Sequence, residues 1–550
     1  MKIFGLVLST ITFSFLQWSL CIPFSLADGG WAFFWWLFLV GEGFFIAQIF
    51  SKEKEVAIGV WMISSLLILL CIIGYGFFGG TSLLHSQAFY SQLGTPEERD
   101  FNKDFDIMDE TQVPTIDKEM AEKLADKILG VDTALGSQCV VGDFTRQAVK
   151  GKLVFVAPLL HTGYWKYRSN PEGTAGYIVV SANHAEDVKI VRAVNQKSVN
   201  LKYQSAAFFK EDLERHIRNS VGNVLFGDFS FELDDNEWPY WTVSEYKNTI
   251  GWTGEEASGL IVVNAVSGEI KRYPLKDVPS WVDRVQPKTF FLEQLQNYGE
   301  LVHGVFNWSD KDKLKIADSD AAIIYNQGRC FYFVGMTSVG KDKSTVGFVT
   351  CDTKTKKTFF YKMNGAQESS AQRSAEGKVQ NYGYTATYPL PVNIDGQPSY
   401  FVALKDKEGI NKQYAFVNIK EYSMVGAGES VREAKMNYIK SLKGVGNSVL
   451  FATNSKTTDF EGKVSKISSA VQSGNTYYYL LLEGHENQIF IASIDLSTEL
   501  PLTTMGDTVK IRFEDDKSDT INVTFFDNLQ INPPKDQEQK ILEHKDEKVQ

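Results

Sequence analysis

The amino-terminal part of the chain alternates between long apolar runs and short polar connections. Each run reaches the about 20 residues that a membrane-spanning helix needs. Tryptophans near the ends of the runs are typical of the lipid–water interface. The pattern therefore predicts three transmembrane helices, over residues 3–27, 31–50 and 56–80.

The charges between the runs predict the orientation of these helices. The first connection, residues 28–30, holds no cation, whereas the second, residues 51–55, holds Lys52 and Lys54. Positive charge favours the cytoplasmic side. We therefore expect an integral, multi-pass membrane protein whose large carboxy-terminal region lies on the extracytoplasmic side.

The first run also fits a cleaved signal peptide. It combines a short basic start and an apolar stretch with small residues at Ser25 and Ala27, just before Asp28. Its apolar part is longer than that of a usual signal sequence, which favours a retained helix. Cleavage after residue 27 would leave two spanning helices and the same location for the large region.

Glu42 places a carboxyl group in the middle of the second run. A carboxylate at that depth is costly unless it is protonated, paired or facing a polar cavity. Gly41 and Gly43 flank it and allow close approach of another helix. Two interpretations follow: a proton or ion relay or inter-subunit contact, and a neutral carboxyl group hydrogen-bonded to Gln17, Ser64 or Ser65 on a neighbouring helix.

The remainder of the chain pairs amphipathic helices with β-prone segments. A charged linker, residues 83–116, leads to helices that begin near residues 117, 205 and 289. Strands that start at a glycine recur about every 85 residues, which indicates tandem small domains of helix on antiparallel sheet. The predicted fold class is α+β, with units at residues 117–204, 205–287 and 288–365 and a degenerate fourth unit at 366–455.

The last region has a different pattern. Residues 456–530 contain five short β-prone segments separated by turn signals, which predicts a small barrel of the OB type. Residues 531–550 are charged and lack an apolar face, so we expect a disordered tail.

The last glycine-led strand of the second unit ends in residues 265–269 (AVSGE). Parts of the same pattern occur at Ser181-Ala182 in the first unit and at residues 352–355 in the third. This helix-then-sheet unit resembles the PepSY module, whose final strand reads tyrosine, valine, aspartate, alanine, x, threonine, glycine, glutamate. The resemblance implies non-catalytic, often extracytoplasmic modules. Some modules of that family are thought to restrain peptidases.

The net charge and the positions of the cysteines bear on two kinds of site, a nucleic-acid surface and a disulfide. The formal net charge of −11 argues against a nucleic-acid surface, which needs clustered positive charge. Cys330 and Cys351 flank a predicted hairpin symmetrically, and either a disulfide or two buried thiols is consistent with that spacing.

Three weaker motifs favour ordinary structural roles. Residues 335–342 nearly match a phosphate-binding loop, but Asp342 replaces the magnesium-binding hydroxyl and a strand follows instead of a helix. The acidic residues 234–237 lack the spacing of a calcium loop. The histidines are scattered singly, so the sequence predicts no catalytic residues, no metal site and no cofactor.

Aromatic side chains in predicted strands suggest a surface for packing between units or for binding the sheet edge of a partner protein. They are Tyr164, Trp165, Trp238, Tyr240, Trp241 and Trp281. We therefore predict a non-enzymatic, membrane-anchored scaffold or regulator that contacts an envelope protein or another copy of itself. The two alternatives are restraint of a peptidase and an ion-coupled membrane component that uses Glu42.

Overall fold

The chain folds into a mixture of helices and sheets arranged in two compact units, Met1–Ser448 and Val449–Gln550. The structure is a computed structural model. It describes residues 2–51, 54–108, 110, 113–317, 321–339, 345–365, 367–443, 457–472, 475–514 and 520–531.

The apolar runs form α1 (Lys2–Ser19), α2 (Gly29–Phe50) and α3 (Lys54–Gly79). Two helical spans, Gly29–Phe50 and Glu55–Gly79, are long and apolar enough to cross a membrane. The predicted first helix over residues 3–27 is too long. The chain turns at Cys21, whose φ is 52°, and Pro23 cannot donate to a helix.

The three helices pack in alternating directions. Phe13 of α1 lies against Phe38 of α2, with ring centroids 5.4 Å apart. Trp36 of α2 donates its indole N–H to the carbonyl of Ser65 in α3, at 2.9 Å. Lys2 contacts the carbonyl of Gln48, so the amino terminus lies beside the end of α2.

The described residues of the segment predicted as a linker, residues 83–116, are instead folded onto the first unit. They form α4 (Ser82–Gln92), β1 (Glu97–Glu98) and α5 (Phe101–Asp104). Phe101 and Phe105 are buried in a core with Phe348. The linker prediction was wrong because the charges outnumber these few apolar residues, yet the burial of the apolar residues positions the segment.

Sheet I has the strand order β2-β4-β6-β7, with β3 beside β4. The helix α6 covers it with Ala121 and Ala125, and Asp117 caps α6 by accepting the N–H of Met120. The elements of this region are α6 (Lys118–Val131), α7 (Thr133–Gly136), β2 (Cys139–Val141), β3 (Thr145–Val149), β4 (Lys152–His161), α8 (Tyr164–Ser169), β5 (Thr174–Ala175), β6 (Tyr177–Ser181), β7 (Val188–Val191), β8 (Ala193–Val194), β9 (Lys197–Ser198) and β10 (Asn200–Leu201).

Sheet II is an antiparallel meander, β11-β12-β13-β14. Its helix begins at Leu213 and not at the predicted residue 205, because Asp212 caps it through the N–H of Arg215. The acidic residues 234–237 form a turn in which Asp234 accepts the N–H groups of Asn236 and Trp238. The elements are α9 (Leu213–Val221), β11 (Leu225–Leu233), β12 (Pro239–Ile250), β13 (Thr253–Asn264) and β14 (Ile270–Pro274).

Sheet III has the order β1-β19-β18-β17-β15, with β16 beside β17. Phe291 and Leu295 of α10 cover one face. β17 and β18 pair as the predicted hairpin, and residues 340–344 between them lie outside the described residues. The elements are α10 (Lys288–Glu300), β15 (Leu314–Ile316), β16 (Ala322–Asn326), β17 (Arg329–Ser338), β18 (Thr345–Asp352) and β19 (Thr358–Gly365).

Sheet IV has the order β20-β22-β23-β24, with β21 beside β22. Ala371 and Ala375 of α11 are buried against it, and Tyr438 of α12 reaches Ser399 with its hydroxyl at 2.7 Å. The elements are α11 (Glu368–Lys378), β20 (Thr385–Ala386), β21 (Leu390–Ile394), β22 (Gln397–Lys405), β23 (Asn411–Asn418), β24 (Val425–Gly428) and α12 (Val431–Lys443).

The four larger sheets of the first unit, I to IV, contact one another in the order of the chain, and sheet IV returns to the helix that covers sheet I. Sheets I and II share one core, and sheets III and IV share another. Sheets II and III meet where Tyr332 donates its hydroxyl to the carbonyl of Gln286, at 2.7 Å. Sheet IV returns to α6 through Lys405, which pairs with Asp117 at 2.6 Å and with Glu119 at 2.7 Å.

The second unit is a closed barrel with the strand order β25-β26-β27-β29-β28. Leu480, Phe490 and Phe513 fill its core. Its strands are β25 (Thr457–Gln472), β26 (Asn475–Leu482), β27 (Ile489–Ser493), β28 (Thr508–Glu514) and β29 (Thr520–Asn528). The predicted tail from residue 531 lies, after Ile531, outside the described residues.

Candidate functional site

Glu42 lies between the amino-terminal helices. Its carboxylate accepts a hydrogen bond from the hydroxyl of Thr10 in α1, at 3.1 Å, whereas the sequence predicted Gln17, Ser64 or Ser65 as the partner. A Cβ at Gly41 would lie 3.3 Å from the hydroxyl of Ser9, and one at Gly43 would collide with the ring of Trp61 in α3. The two glycines therefore allow α2 to approach a helix on either side, and a polar partner from α1 meets Glu42.

Cys330 and Cys351 are not partners. Both thiols are free and buried. Cys351 lies opposite Tyr332, because a bulge between Met336 and Thr337 shifts the pairing of β17 with β18. Cys330 is then a diagonal neighbour, at the about 7–8 Å typical of such positions, which exceeds the about 4.4–6.8 Å that a disulfide spans.

The six predicted aromatic residues separate into two groups. Trp241 is 6% exposed and donates its indole N–H to the carbonyl of Tyr203. Tyr240 packs on Trp281, with ring centroids 5.2 Å apart, and Trp238 packs against the core shared by sheets I and II. These four side chains hold the body of the protein together.

Tyr164 and Trp165 are different, because they are 39% and 79% exposed. The predicted strand over residues 163–167 is wrong: β4 ends at His161, Gly163 adopts φ 115°, and the short helix α8 follows. Tyr164 contacts Phe209, which is also exposed. Residues 164, 165 and 209 are called the aromatic patch below.

A cavity of about 460 Å³ lies where the four sheets of the first unit meet. Sheet I contributes Arg146 and Phe155, sheet II contributes Asp228, sheet III contributes Tyr332, and sheet IV contributes Phe401. A second cavity of about 750 Å³ shares Arg146 with the first, together with Pro114 and Leu390. Arg146 therefore lies at the junction of the two cavities.

The guanidinium of Arg146 is poorly compensated. One amino group donates to the carbonyl of Ile323 at 3.0 Å, whereas the buried Nε–H has no hydrogen-bond partner. Among the described residues no carboxylate pairs with it. Desolvation lowers the pKa of Arg146 to about 10.

Several carboxyl groups lie in or near the wall of the first cavity. Asp228 lines it, and desolvation raises the pKa of Asp228 against the attraction of Arg284 and Lys288. Behind them, Glu232 has no exposed surface, and burial raises its pKa to about 7. Asp283 accepts the N–H of Ala148, and its pKa is also raised by burial.

The cavity can bind charge but is not a recognised catalytic arrangement. Among the described residues, no group of three or more His, Cys, Asp and Glu side chains is placed to hold a metal ion. Desolvation raises the pKa of the Cys330 thiol, which keeps it protonated and unreactive. The cavity offers a half-buried cation next to aromatic walls.

Sequence reasoning missed Arg146 altogether. Arg146 lies in a five-residue strand, β3, between Thr145 and Gln147, and nothing in that local pattern marks it. The cavity walls come from residues between 114 and 403, which are brought together only by the packing of four sheets. A half-buried arginine without a carboxylate partner among the described residues can be recognised only in three dimensions.

No protein-family model and no curated protein matches the sequence. Among solved structures, a levansucrase of B. megaterium aligns with 79% of this chain and 96% of its own, at 10% identity and a TM-score of 0.18. An ACO/RPE65 chimera aligns with 54% of this chain and 51% of its own, at 9% identity and a TM-score of 0.14. These scores are too low to carry a conclusion about fold or function.

Proposed function

We propose that the protein is a membrane-anchored, non-enzymatic scaffold or regulator that holds a large extracytoplasmic body for protein–protein contacts. The observation that carries the proposal is the docking of the β12–β13 hairpin on the ends of α2 and α3. A scaffold needs its binding body fixed relative to the membrane, and this hairpin provides the connection.

Trp252, at the tip of that hairpin, makes the main contacts. Its indole N–H donates to the carbonyl of Leu26 at 3.0 Å, and its ring lies 4.8 Å from that of Tyr75. A Cβ on Gly29 would lie 2.9 Å from the Trp252 ring, so the start of α2 is closely packed. Thr253 also donates to the carbonyl of Gly80.

The helix directions support an extracytoplasmic body. The alternating helices bring Lys2 to the end of α2 where the lysine-bearing connection follows, and the hairpin contacts lie at the opposite end. We infer that α1 also crosses the membrane as a third span. Its 18 residues extend about 27 Å, close to the about 30 Å of a bilayer core.

The architecture supports the modular interpretation. In the first unit, helices α6, α9, α10 and α11 each pack on a sheet that is antiparallel apart from the β1–β19 pair, as expected for tandem PepSY-like modules. In the second unit, β27 pairs in parallel with β29, and β25 pairs with both β26 and β28. We propose that this closed five-stranded barrel is OB-like.

The aromatic patch is the proposed contact surface. Phe209 accepts a hydrogen bond on its carbonyl from Arg215, and the Arg215 guanidinium lies 4.3 Å from the ring centre of Trp18 in α1. The patch is therefore next to the membrane-spanning helices. A partner that fits this position is another envelope membrane protein, or a second copy of this chain.

Photo-crosslinking tests this proposal. A benzophenone amino acid replaces Trp165 in the full chain, and Tyr382, which is 62% exposed on another part of the body, is the matched control. We expect one stoichiometric adduct from position 165 and none from 382, with the adduct identified by mass spectrometry. Equal labelling from both positions, or no adduct at 165, would contradict the scaffold proposal.

The crosslinking experiment tests the first alternative, and a substitution at Glu42 tests the second. A peptidase crosslinked at position 165, with higher peptidase activity after removal of this protein, would select restraint of a peptidase. An ion-coupled component makes a different prediction: Glu42→Gln would abolish function while the protein stays folded and membrane-bound. A scaffold tolerates that substitution, because glutamine still accepts the hydroxyl of Thr10.

A further inference from the structure

Arg146 has unused binding capacity inside the first unit. Its Nε–H is buried without a partner, and the described residues give it no carboxylate. Arg146 is half-buried, and a partly desolvated guanidinium without an anion is costly, since it gives up hydration without regaining an ion pair. A protein keeps such a group where something else supplies the negative charge.

Among the described lining residues, Arg146 and Arg284 both have a buried Nε–H without a hydrogen-bond partner, but Asp228 lies close enough to Arg284 to attract it. The charged lining comprises four cations and three anions, and two of those anions, Asp117 and Glu119, pair with Lys405. Arg284 and Lys288 attract the carboxylate of Asp228, the third anion. The cavity therefore has positive character at Arg146.

The remaining walls are largely apolar. Phe144, Phe155 and Phe401 line the cavity together with Ile323 and Leu390. Its volume of about 460 Å³ falls in the about 300–1,000 Å³ range of small-molecule sites, which combine apolar walls with a few polar groups. The neighbouring cavity of about 750 Å³ meets it at Arg146.

We propose that this central cavity binds a small organic anion, whose carboxylate or phosphate group pairs with Arg146 and whose apolar part packs on the phenylalanine walls. All four sheets contribute to the site, so a bound anion would join them across the centre of the body. This inference goes beyond the scaffold proposal and does not depend on the membrane partner.

Calorimetry on the full chain in detergent tests the proposal with phenyl phosphate and benzoate as anionic probes. Inorganic phosphate and benzyl alcohol, the separate halves of such a ligand, are the controls. We expect saturable binding of at least one anionic probe, at least 10-fold tighter than either half. Failure of both probes to bind at millimolar concentration, or equally tight binding of benzyl alcohol, would overturn the proposal.

Substitutions of Arg146 test whether its side chain binds the anionic probe. Arg146→Gln should weaken the probe at least 10-fold, and Arg146→Lys should restore part of the affinity. Arg272→Gln is the matched control, because Arg272 pairs with Glu245 at 2.7 Å and does not line the cavity. Unchanged affinity in Arg146→Gln would refute the assignment.

A stability measurement distinguishes loss of binding from misfolding of the Arg146→Gln variant. Because the charge of Arg146 is uncompensated without ligand, Arg146→Gln should keep or raise the thermal midpoint of the ligand-free protein. A midpoint that falls well below that of Arg272→Gln would mean that the charge is used inside the fold, and would also overturn the proposal.

Discussion

Glu232 carries a carboxyl group with no exposed surface into the interior of the body. It accepts hydrogen bonds from the hydroxyl of Thr242, at 2.9 Å, and from the N–H of Asp283, at 3.1 Å. Burial nevertheless raises its pKa to about 7, against the attraction of Arg284. The folded protein therefore binds a proton at Glu232 that the unfolded chain releases at lower pH.

This shift predicts how stability depends on pH. Because the folded pKa is above the unfolded one, the contribution of Glu232 is complete at low pH and is lost as the pH rises through about 7. We expect about 2–3 kcal/mol of lost stability between about pH 5 and about pH 8. Chemical unfolding of the detergent-solubilised protein at several pH values measures it.

The matched variants are Glu232→Gln and Glu300→Gln, the second at an exposed position in α10. Glu232→Gln should flatten the dependence on pH, and Glu300→Gln should leave it unchanged. Asp228 and Asp283 also have raised pKa values, so some slope remains. Equal slopes for Glu232→Gln and the wild type would contradict the expected role of Glu232.

Gly43 lies at a position with no room for a larger side chain. A Cβ there would collide with the indole ring of Trp61, which donates to the carbonyl of Val40 at 3.3 Å. Gly43→Ala should therefore force Trp61 away and cost about 1–3 kcal/mol. Gly59→Ala is the control, since no atom lies within 4 Å of its Cβ position. Thermal unfolding in detergent should separate the two variants, and equal midpoints would refute close packing at Gly43.

At the scale of elements, Lys405 joins sheet IV to α6. Its side chain is 7% exposed, and Asp117 and Glu119 are 37% and 54% exposed. Removing one partner of a fully buried pair costs about 3–5 kcal/mol. The exposure of these carboxylates reduces that cost, so we expect a loss of about 1–3 kcal/mol for Lys405→Met.

Lys412→Met provides the comparison for Lys405→Met. Lys412 is 45% exposed and lies 3.4 Å from Asp406, so its loss should cost about 0–1 kcal/mol. Unfolding by urea measures both variants. Similar midpoints would show that the contact between sheet IV and α6 does not stabilise the body.

Elements with strong local signals could be predicted from the sequence. The capping box at residue 430 is one: Ser430 accepts the N–H of Glu433, and the Glu433 carboxylate accepts the N–H of Glu429 at the start of α12. The hairpin of β17 and β18 is another. Their signals lie within a few residues of one another, so no distant contact is needed to fix them.

Elements that depend on distant contacts could not be predicted in this way. β1 is two residues long and exists because it pairs with β19, more than 250 positions away in the sequence. α8 replaces a predicted strand because the chain leaves sheet I at Gly163. The cavity at Arg146 is the extreme case, since four sheets have to assemble before it exists.

At the scale of the whole first unit, Trp252 connects the body to the helices. None of the cores shared by the sheets contains this residue, so Trp252→Ala should leave the unfolding of the body nearly unchanged. The ring contacts with Gly29, Gly76 and Tyr75 would be lost, together with the bond to Leu26. The docking of the hairpin should therefore weaken on its own.

Hydrogen–deuterium exchange in nanodiscs can detect that weakening. We expect amides of residues 248–254 to exchange about 10-fold faster or more in Trp252→Ala, corresponding to at least about 1.4 kcal/mol of lost docking energy. Trp308→Ala is the control, because Trp308 is 84% exposed and packs edge-on to Phe306. Unchanged exchange in Trp252→Ala would mean that the covalent connection from α3 into α4 holds the body in place without the hairpin, and the scaffold proposal would lose the observation that carries it.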